Sequence, residues 1–418
     1  MDQLLEDLRQ CKDPQSIVDF PELKPEYLEQ LSTFQPKGDV VNCVISTLNQ
    51  NKSSLHYSNL REDRITQPGL TVQTKSNYPF TEIGSKDKVG QPTADAYCVW
   101  RCANFMVFCV CDGCGWGQDS SYVARVASAV FVSYMQKYIQ ENENAMTTKS
   151  MIEHVKKAVA IAHQIGSTTY FIQGKNIGSC TLCGGVVVPL VPEEELKGLQ
   201  VNESDMVDSK SALRHRVDEY KHTTKTDKMT EKYQYIGVSV GDCKAYFVDR
   251  SLPKHNCVDL TYGSRLKSKI GNDPGGRIGK TKEELTKMDL RNGIYFAQMM
   301  HWNDYLIVCS DGIHDNLEPK TRGMSVEEVL PTKKGVKWNA LTSEDVELIN
   351  KNYSLAFLEE MESHAVSVHQ FHQIIMDSVE GVVKDIRDFS EKYPLEAIPS
   401  QFSGKLDHAT LLVARPAM

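Results

Sequence analysis

The sequence lacks the features that would direct the protein to a membrane or to nucleic acid. Its longest notable apolar run covers the seven residues 105–111, whereas a membrane-spanning helix needs about 20. Basic residues are in the minority, with 47 Lys and Arg against 55 Asp and Glu and a net charge of −8. The chain therefore has no overall basic field for nucleic acid. We expect neither a membrane nor a nucleic acid among its partners.

The chain also has too little cysteine for a disulfide scaffold, with 12 in 418 residues. Several cysteines, such as Cys98, Cys109 and Cys309, lie in apolar runs, where a free thiol behaves as a small hydrophobe. The first residues, Met1 to Asp7, contain no basic segment followed by an apolar one, so we expect no secretory signal. These features predict reduced thiols in a cytoplasmic or nuclear protein.

The hydrophobic pattern predicts a mixed α and β chain with a distinct N-terminal part. Residues 1–75 are predicted to be helical or irregular, and residues 76–418 to form the main domain. A polar stretch at about 192–232 is predicted to be an insertion loop. The pattern predicts strands at 97–100, 105–110, 181–188, 235–249 and 409–415, and helices at 121–139, 151–165 and within 343–390. A turn is expected at 103–104.

Aspartates recur at the ends of the predicted strands. They are Asp95 and Asp407 before strands, Asp112 and Asp311 after strands, and Asp242 within a Gly-Asp pair. A buried carboxylate is costly unless its charge is paired or bound to a metal. All-oxygen ligands favour hard cations such as Mg²⁺, Mn²⁺ or Ca²⁺. A single Asp-Gly pair is typical of a hairpin turn, but turns alone do not explain this repeated placement.

Six segments in chain order resemble the motifs of the metal-dependent Ser/Thr protein phosphatases of type 2C, the PPM family. The segments are Ala94-Asp95-Ala96-Tyr97, Val110-Cys111-Asp112-Gly113-Cys114-Gly115, Gly178-Ser179-Cys180-Thr181, Ser239-Val240-Gly241-Asp242-Cys243-Lys244-Ala245, residues 306–315, and Asp407-His408-Ala409-Thr410. The resemblance covers about residues 80–418. It implies an α+β fold, namely a four-layer α/β/β/α sandwich of two antiparallel sheets flanked by helices.

The same resemblance implies a site that holds two Mg²⁺ or Mn²⁺ ions. Asp112 would bridge both ions, the Gly113 carbonyl would bind one, and Asp311 and Asp407 would bind the other. Asp95 would act with Asp112 in catalysis by holding metal-bound waters, one of which attacks phosphorus in line. A third metal near Asp315 is a further implication. The implied reaction is hydrolysis of phosphoserine and phosphothreonine in a protein substrate, with a regulatory protein as a second partner.

The chain departs from the family pattern at four positions. Cys114 replaces the family's proton-donating His, and Ala94 replaces a Glu. The Arg that the family has a few residues upstream to hold phosphate is absent, and the nearest basic residue is Lys88. Lys175 lies where a third-metal Asp is often found. These departures motivate an alternative, a weak or inactive pseudophosphatase that serves as a binding scaffold, and a third hypothesis is a phosphatase of small metabolites. The retained Asp112, Asp311 and Asp407 favour the protein phosphatase.

Two further sets of residues have competing interpretations. Cys111 and Cys114, with Cys180 and Cys183, form two Cys-x-x-Cys pairs, but the gap between the pairs is too long for the usual zinc site, so we expect thiols that are buried or lie at the rim. His369 and His372 are one helical turn apart and also lie near His364, and a helix face is favoured over a metal pair. Cys114 beside a metal pair would also be sensitive to oxidation.

Overall fold

The computed structural model describes most of the chain from residue 20 onwards, with gaps. The described residues are 20, 22–32, 36–38, 43–45, 54–58, 62–82, 85–102, 105–142, 146–169, 178–192, 232–251, 256–263, 273–279, 287–394, 396–399 and 402–416. The turn predicted at 103–104, Lys175 and nearly all of the predicted insertion lie outside them, as do residues 1–19.

The strands are numbered in chain order. They are β1 (Pro36–Lys37), β2 (Cys43–Ile45), β3 (Ser54–Ser58), β4 (Asp63–Gln67), β5 (Leu70–Ser76), β6 (Ala96–Cys102), β7 (Phe105–Cys111), β8 (Ser179–Cys180), β9 (Leu182–Pro192), β10 (Lys232–Val240), β11 (Lys244–Asp249), β12 (Asn256–Asp259), β13 (Ile278–Gly279), β14 (Ile294–His301), β15 (Tyr305–Cys309) and β16 (His408–Ala414).

The α-helices are numbered in the same way. They are α1 (Pro25–Ser32), α2 (Gln118–Glu141), α3 (Thr148–Thr169), α4 (Asp311–His314), α5 (Val326–Val329), α6 (Ser343–Ser363) and α7 (Val368–Lys392). Single 3₁₀ turns follow α4 at Asp315–Leu317 and precede α6 at Trp338–Ala340.

Two sheets contain most of the described strands. The first has eight strands in the described part of the chain, in the order β1-β14-β10-β9-β7-β6-β3, with β2 beside β9. Only the short β1–β14 pairing in it is parallel. The second has six described strands in the order β12-β11-β15-β16-β5-β4, and all of its pairings are antiparallel.

Three apolar clusters separate four layers. Alternate residues of β7 face opposite ways, so that Val107 packs with the α2–α3 layer and Phe108 packs between the two sheets. In β16, Leu412 faces the first sheet while Leu411 faces the α6–α7 layer. Because both faces of these strands are covered, both carry apolar side chains. The predicted four-layer α/β/β/α sandwich is confirmed.

The N-terminal boundary differs from the sequence prediction. The strands β3, β4 and β5 all begin before residue 75, and β5 pairs along its whole length with β16 in the second sheet. The predicted boundary at residue 75 therefore cuts a strand. The missed signal was Pro68-Gly69, since Gly69 has a φ of +69° in the turn that joins β4 to β5.

None of the helices in the described part of the chain is long and apolar enough to cross a membrane.

Candidate metal centre

The strand register brings the predicted aspartates to one end of the sandwich. Ala96 pairs with Cys111, Leu182 pairs with Val240, and Lys244 pairs with Cys309. These residues begin or end their strands at the same edge. The aspartates next to these strand ends, together with Asp407 before β16, are therefore gathered there although they are far apart in sequence: Asp95, Asp112, Asp242, Asp311 and Asp407.

The Asp112-Gly113 segment is fixed by its backbone. The Asp112 amide donates to Thr181 Oγ1 at 3.2 Å, and the Thr181 amide donates to the Asp112 carbonyl at 2.8 Å. A Cβ at Gly113 would lie only 2.8 Å from the backbone carbonyl carbon and oxygen of Ser120 and 2.9 Å from the Ala94 oxygen. Glycine is required here because the start of α2 lies directly against this turn.

A second glycine brings Asp311 close to Asp407. A Cβ at Gly312 would lie 1.9 Å from the His408 carbonyl oxygen, so only glycine permits this approach of α4 to the start of β16. The buried Ser310 then links two strands, since its Oγ donates to Asp95 Oδ2 at 2.6 Å and accepts from the Thr410 amide at 2.9 Å.

Three carboxylates converge closely enough to share one ion. Asp112, Asp242 and Asp311 each offer one oxygen, and these oxygens lie within 4.8 Å of one another. Oδ1 of Asp311 is buried and accepts no hydrogen bond from the described residues. A converging set of oxygens with one buried acceptor unused fits a hard divalent cation such as Mg²⁺ or Mn²⁺.

The electrostatics at this rim disfavour negative charge. Burial, followed by the charge of Asp311, raises the pKa of Asp112 well above its ordinary value. Burial also raises the pKa of Asp95 to about 7, against the hydrogen bond from Ser310. Burial, followed by the charge of Asp311, raises the pKa of Asp407 to about 6. A bound cation would relieve this repulsion.

A lysine already lies among the remaining carboxylates. Lys405 Nζ is 2.5 Å from Asp311 Oδ2, 3.0 Å from Asp315 Oδ2 and 3.0 Å from Asp407 Oδ2. Burial lowers the pKa of Lys405, but the charges of these three aspartates outweigh it and raise the pKa above its ordinary value. The group of Asp112, Asp242 and Asp311 thus suits a divalent ion, whereas Asp315 and Asp407 contact an ammonium.

The expected ligand set is only partly assembled in this arrangement. Asp112 and Asp311 belong to the same close group of carboxylates. Asp95 is buried and accepts a hydrogen bond from Ser310. Asp407 contacts Lys405, and Asp242 takes a place in the close carboxylate group. The roles of Asp95, Asp112, Gly113, Asp311 and Asp407 in binding metal and in catalysis stay predictions.

Several solved structures are similar to this chain. Serine-threonine phosphatase 2C from Toxoplasma gondii has 10% identity and a TM-score of 0.41, over 87% of this chain and 99% of that one. Serine/threonine phosphatase PstP/Ppp of Mycobacterium tuberculosis has 11% identity and a TM-score of 0.38, over 84% and 100%. A PstP catalytic domain in complex with two manganese ions has 12% identity and a TM-score of 0.37, over 83% and 98%.

All three of these structures are named as phosphatases. No family model and no curated protein sequence matches the chain.

The substituted positions have structural partners of their own. The Cys114 amide donates to the Ser179 carbonyl at 2.8 Å, and burial raises the pKa of the Cys114 thiol to about 12. The buried Ala94 donates its amide to His408 Nδ1 at 3.3 Å. Lys88 donates to the Ser76 carbonyl at 2.7 Å and pairs with Glu62 at 3.2 Å. At neutral pH Cys114 is therefore a protonated thiol. The Lys88 ammonium already has two partners, Glu62 and the Ser76 carbonyl.

An aromatic pair lies beside the carboxylates. Trp116 is 60% exposed, and its Nε1 donates to the Tyr78 hydroxyl at 2.8 Å. That hydroxyl donates to Asp407 Oδ1 at 3.3 Å. Solvent-facing Trp116 is thus connected through Tyr78 to one of the predicted ligands.

The cysteines and histidines with competing interpretations lie in distinct surroundings. Cys111, Cys180 and Cys183 are buried, and within the described residues no thiol belongs to a group of side chains that would hold a metal. His372 is buried, with its pKa lowered to about 3 by burial. His369 is exposed and lies 2.8 Å from Arg64. The two histidines therefore face different surroundings on α7.

Lys405 and Ser310 are the residues that the sequence prediction missed. Ser310 directly precedes Asp311, and Lys405 lies two residues before Asp407. A basic residue so close to a predicted metal ligand was the available signal, because it places an opposite charge next to the carboxylates.

Proposed function

We propose that the protein is a divalent-metal-dependent hydrolase of phosphoserine and phosphothreonine in proteins. The observation that supports this proposal best is the convergence of Asp112, Asp242 and Asp311 at one end of the sandwich, with their oxygens within 4.8 Å. The carboxylates come from three separate strand ends of both sheets. A fold that only needed to pack would not gather like charges in this way.

The carboxylates define what each part of the site would do. Mg²⁺ or Mn²⁺, when bound, lowers the pKa of coordinated water and neutralises phosphoryl charge. Asp112 and Asp311 would hold the ion, with Asp242 as a third ligand. Asp95 is oriented by Ser310 Oγ, which donates to its Oδ2 at 2.6 Å. Its carboxylate would orient the attacking water and accept its proton at neutral pH.

Protonation of the leaving alkoxide is the weakest step in this scheme. Cys114 lies at the family's His position, and its pKa of about 12 makes it a poor proton donor at neutral pH. We therefore expect slow turnover, with solvent donating the proton. Exposed Trp116, which is linked to Asp407 through the Tyr78 hydroxyl, would offer an apolar contact for residues that flank a phosphorylated side chain in a protein substrate.

Two further expectations belong to the same proposal. Every cysteine whose side chain the structure describes is a free thiol, which is compatible with the reducing cytoplasm or nucleus that the sequence predicts. A regulatory protein partner also stays a prediction. The third metal that the sequence implied near Asp315 would have to displace Lys405, which contacts Asp315 at 3.0 Å.

A binding scaffold is the second candidate, and Lys405 is the observation that favours it. A side-chain ammonium that neutralises Asp311 and Asp407 removes part of the need for metal. Together with Cys114 and Ala94, this contact would suit a pseudophosphatase that keeps the fold and binds proteins without turnover.

Hydrolysis of a phosphothreonine peptide, measured with Mn²⁺ and with EDTA, tests the proposal. We expect Mn²⁺-dependent release of phosphate by the wild type, and a loss of roughly a thousandfold in Asp112→Asn and in Asp311→Ala, because each removes an ion ligand. Asp385→Asn, an exposed carboxylate on α7, is the control and should match the wild type.

The other outcomes separate the candidates. A folded wild type without turnover at any Mn²⁺ concentration contradicts the phosphatase and favours the scaffold. Faster hydrolysis of a small aryl phosphate than of the peptide would favour a metabolite phosphatase.

A further inference from the structure

Lys405 is held in place by its backbone as well as by its charge. Its amide donates to Oδ1 of the buried Asn316 at 2.8 Å. Nδ2 of Asn316 donates to the Lys405 carbonyl at 3.0 Å and to the Gly312 carbonyl at 2.8 Å. Asn316 therefore ties Lys405 to the turn that carries Asp311.

The preceding residue reinforces this placement. Gly404 has a φ of +102°, and its amide donates to the Thr321 carbonyl at 2.7 Å. A Cβ there would lie 2.8 Å from the Val382 carbonyl oxygen, so glycine is needed where this segment crosses α7. The backbone before Lys405 is thus fixed by a glycine-dependent contact, and the lysine leaves it at a defined point.

The ammonium lies where three carboxylates meet. Its distances to Asp311, Asp315 and Asp407 are all 3.0 Å or less, and its side chain is 36% exposed. A divalent ion coordinated by the same oxygens would occupy the same space, because coordination requires oxygens at about 2.0–2.6 Å. Such an ion would have to displace Lys405.

We propose that Lys405 takes the place of one of the two divalent ions, so that each chain binds one ion, at Asp112, Asp242 and Asp311. Asp311 is shared, since it contacts the ammonium through Oδ2 and its Oδ1 has no hydrogen-bond partner among the described residues. The inference rests on the metal site of the proposed function but does not require turnover.

The test counts Mn²⁺ ions on the full chain after removal of metal. Isothermal titration gives the number bound, and electron paramagnetic resonance distinguishes an isolated Mn²⁺ from a coupled pair. The wild type should bind one Mn²⁺ with an isolated-ion spectrum. Lys405→Met, which keeps the length of the side chain but removes its charge, should bind two Mn²⁺ with a coupled-pair spectrum.

Two other variants serve as controls. Lys405→Arg keeps a cation and should bind one Mn²⁺. Lys75→Met removes a lysine of similar exposure, 30%, which pairs with Glu380 away from the carboxylates, and it should also bind one. Circular dichroism in the presence of Mn²⁺ checks that each variant is folded.

Two Mn²⁺ ions bound to the wild type would overturn the proposal, and this measurement does not depend on the folding of any variant. The proposal would also be overturned by a wild type that binds no Mn²⁺, or by a folded Lys405→Met chain that still binds one. The expected counts without any peptide hydrolysis would keep this inference and refute the phosphatase. Peptide hydrolysis by a wild type with two Mn²⁺ ions would support the phosphatase and refute this inference.

Discussion

The two sheets carry acidic side chains in contrasting surroundings. Asp259, at the end of edge strand β12, is 3% exposed. It pairs with buried Lys244 at 3.4 Å and accepts from the Thr261 amide at 2.9 Å and hydroxyl at 2.7 Å. Asp112, at the end of β7, instead faces the like charges of Asp311, Asp95, Asp407 and Asp242.

The difference separates a structural charge from a functional one. A buried carboxylate that serves only the fold is neutralised by the chain itself, as Lys244 does for Asp259. Asp112 has repulsive neighbours instead, so the favourable partner has to come from solution. Lys405 lies between these cases, because it neutralises part of the acidic group and leaves Asp112 and Asp242 for an ion.

The largest effect on stability is expected at the structural pair. Asp259→Asn should lower the free energy of unfolding by about 3 kcal/mol, since it leaves the buried charge of Lys244 without this carboxylate. Urea denaturation in EDTA measures the change, with the exposed Asp385→Asn as control. A loss below about 1 kcal/mol would mean that the pair contributes little and that the contrast with Asp112 fails.

Asp95 should make the free energy of unfolding depend on pH. Its pKa in the folded chain is about 7 against an ordinary 3.8, so the folded state keeps a proton that the unfolded state releases. This contribution to stability is complete below about pH 4 and is lost as the pH rises through 7. Asparagine does not titrate, and its oxygen still accepts from Ser310.

In EDTA, the unfolding free energy of Asp95→Asn relative to the wild type should therefore rise by about 2 kcal/mol from pH 5 to pH 8. Denaturation of both proteins at several pH values gives this difference directly. The difference also cancels the titration of histidines that both proteins share. A difference that is independent of pH would show that Asp95 is not protonated in the folded chain.

The smallest expected effect has the opposite sign to that at Asp259. Asp112→Asn should raise the unfolding free energy of the metal-free chain by about 1 kcal/mol, because it removes a carboxylate whose charge is disfavoured by burial and then by Asp311. It should also abolish the stabilisation that Mn²⁺ gives the wild type. Thermal unfolding with EDTA and with Mn²⁺ reads both effects. A destabilised metal-free Asp112→Asn chain would place Asp112 with the structural carboxylates.

The fold was predictable where periodicity was strong. The strand predictions at 97–100 and 105–110 became β6 and β7, and the helix prediction at 121–139 became α2. β4 was missed because it is an edge strand with polar residues on its outer side. β5 was missed because it mixes Leu70 and Val72 with threonines that are also buried.

The candidate site was predictable only in its carboxylates. Asp112 and Asp311 follow apolar runs, which is a local signal, and their convergence follows from the common end of their strands. Lys405 reaches the same group because Asn316 and Gly404 fix the segment before β16. The closeness of Lys405 to Asp407 in the sequence is a local signal, but the contact of Lys405 with Asp311 joins residues far apart in sequence, and no local pattern indicates it.

The position of β16 in the second sheet has a consequence for synthesis. β16 lies between β15 and β5, and Ala414 pairs with Leu70. During synthesis, β5 therefore stays without its antiparallel neighbour β16 until residues 408–414 have left the ribosome. Such late closure of a distant pairing is slow and leaves an unpaired strand edge exposed. Nascent chains stalled before residue 408 should therefore bind chaperones more strongly than completed ones.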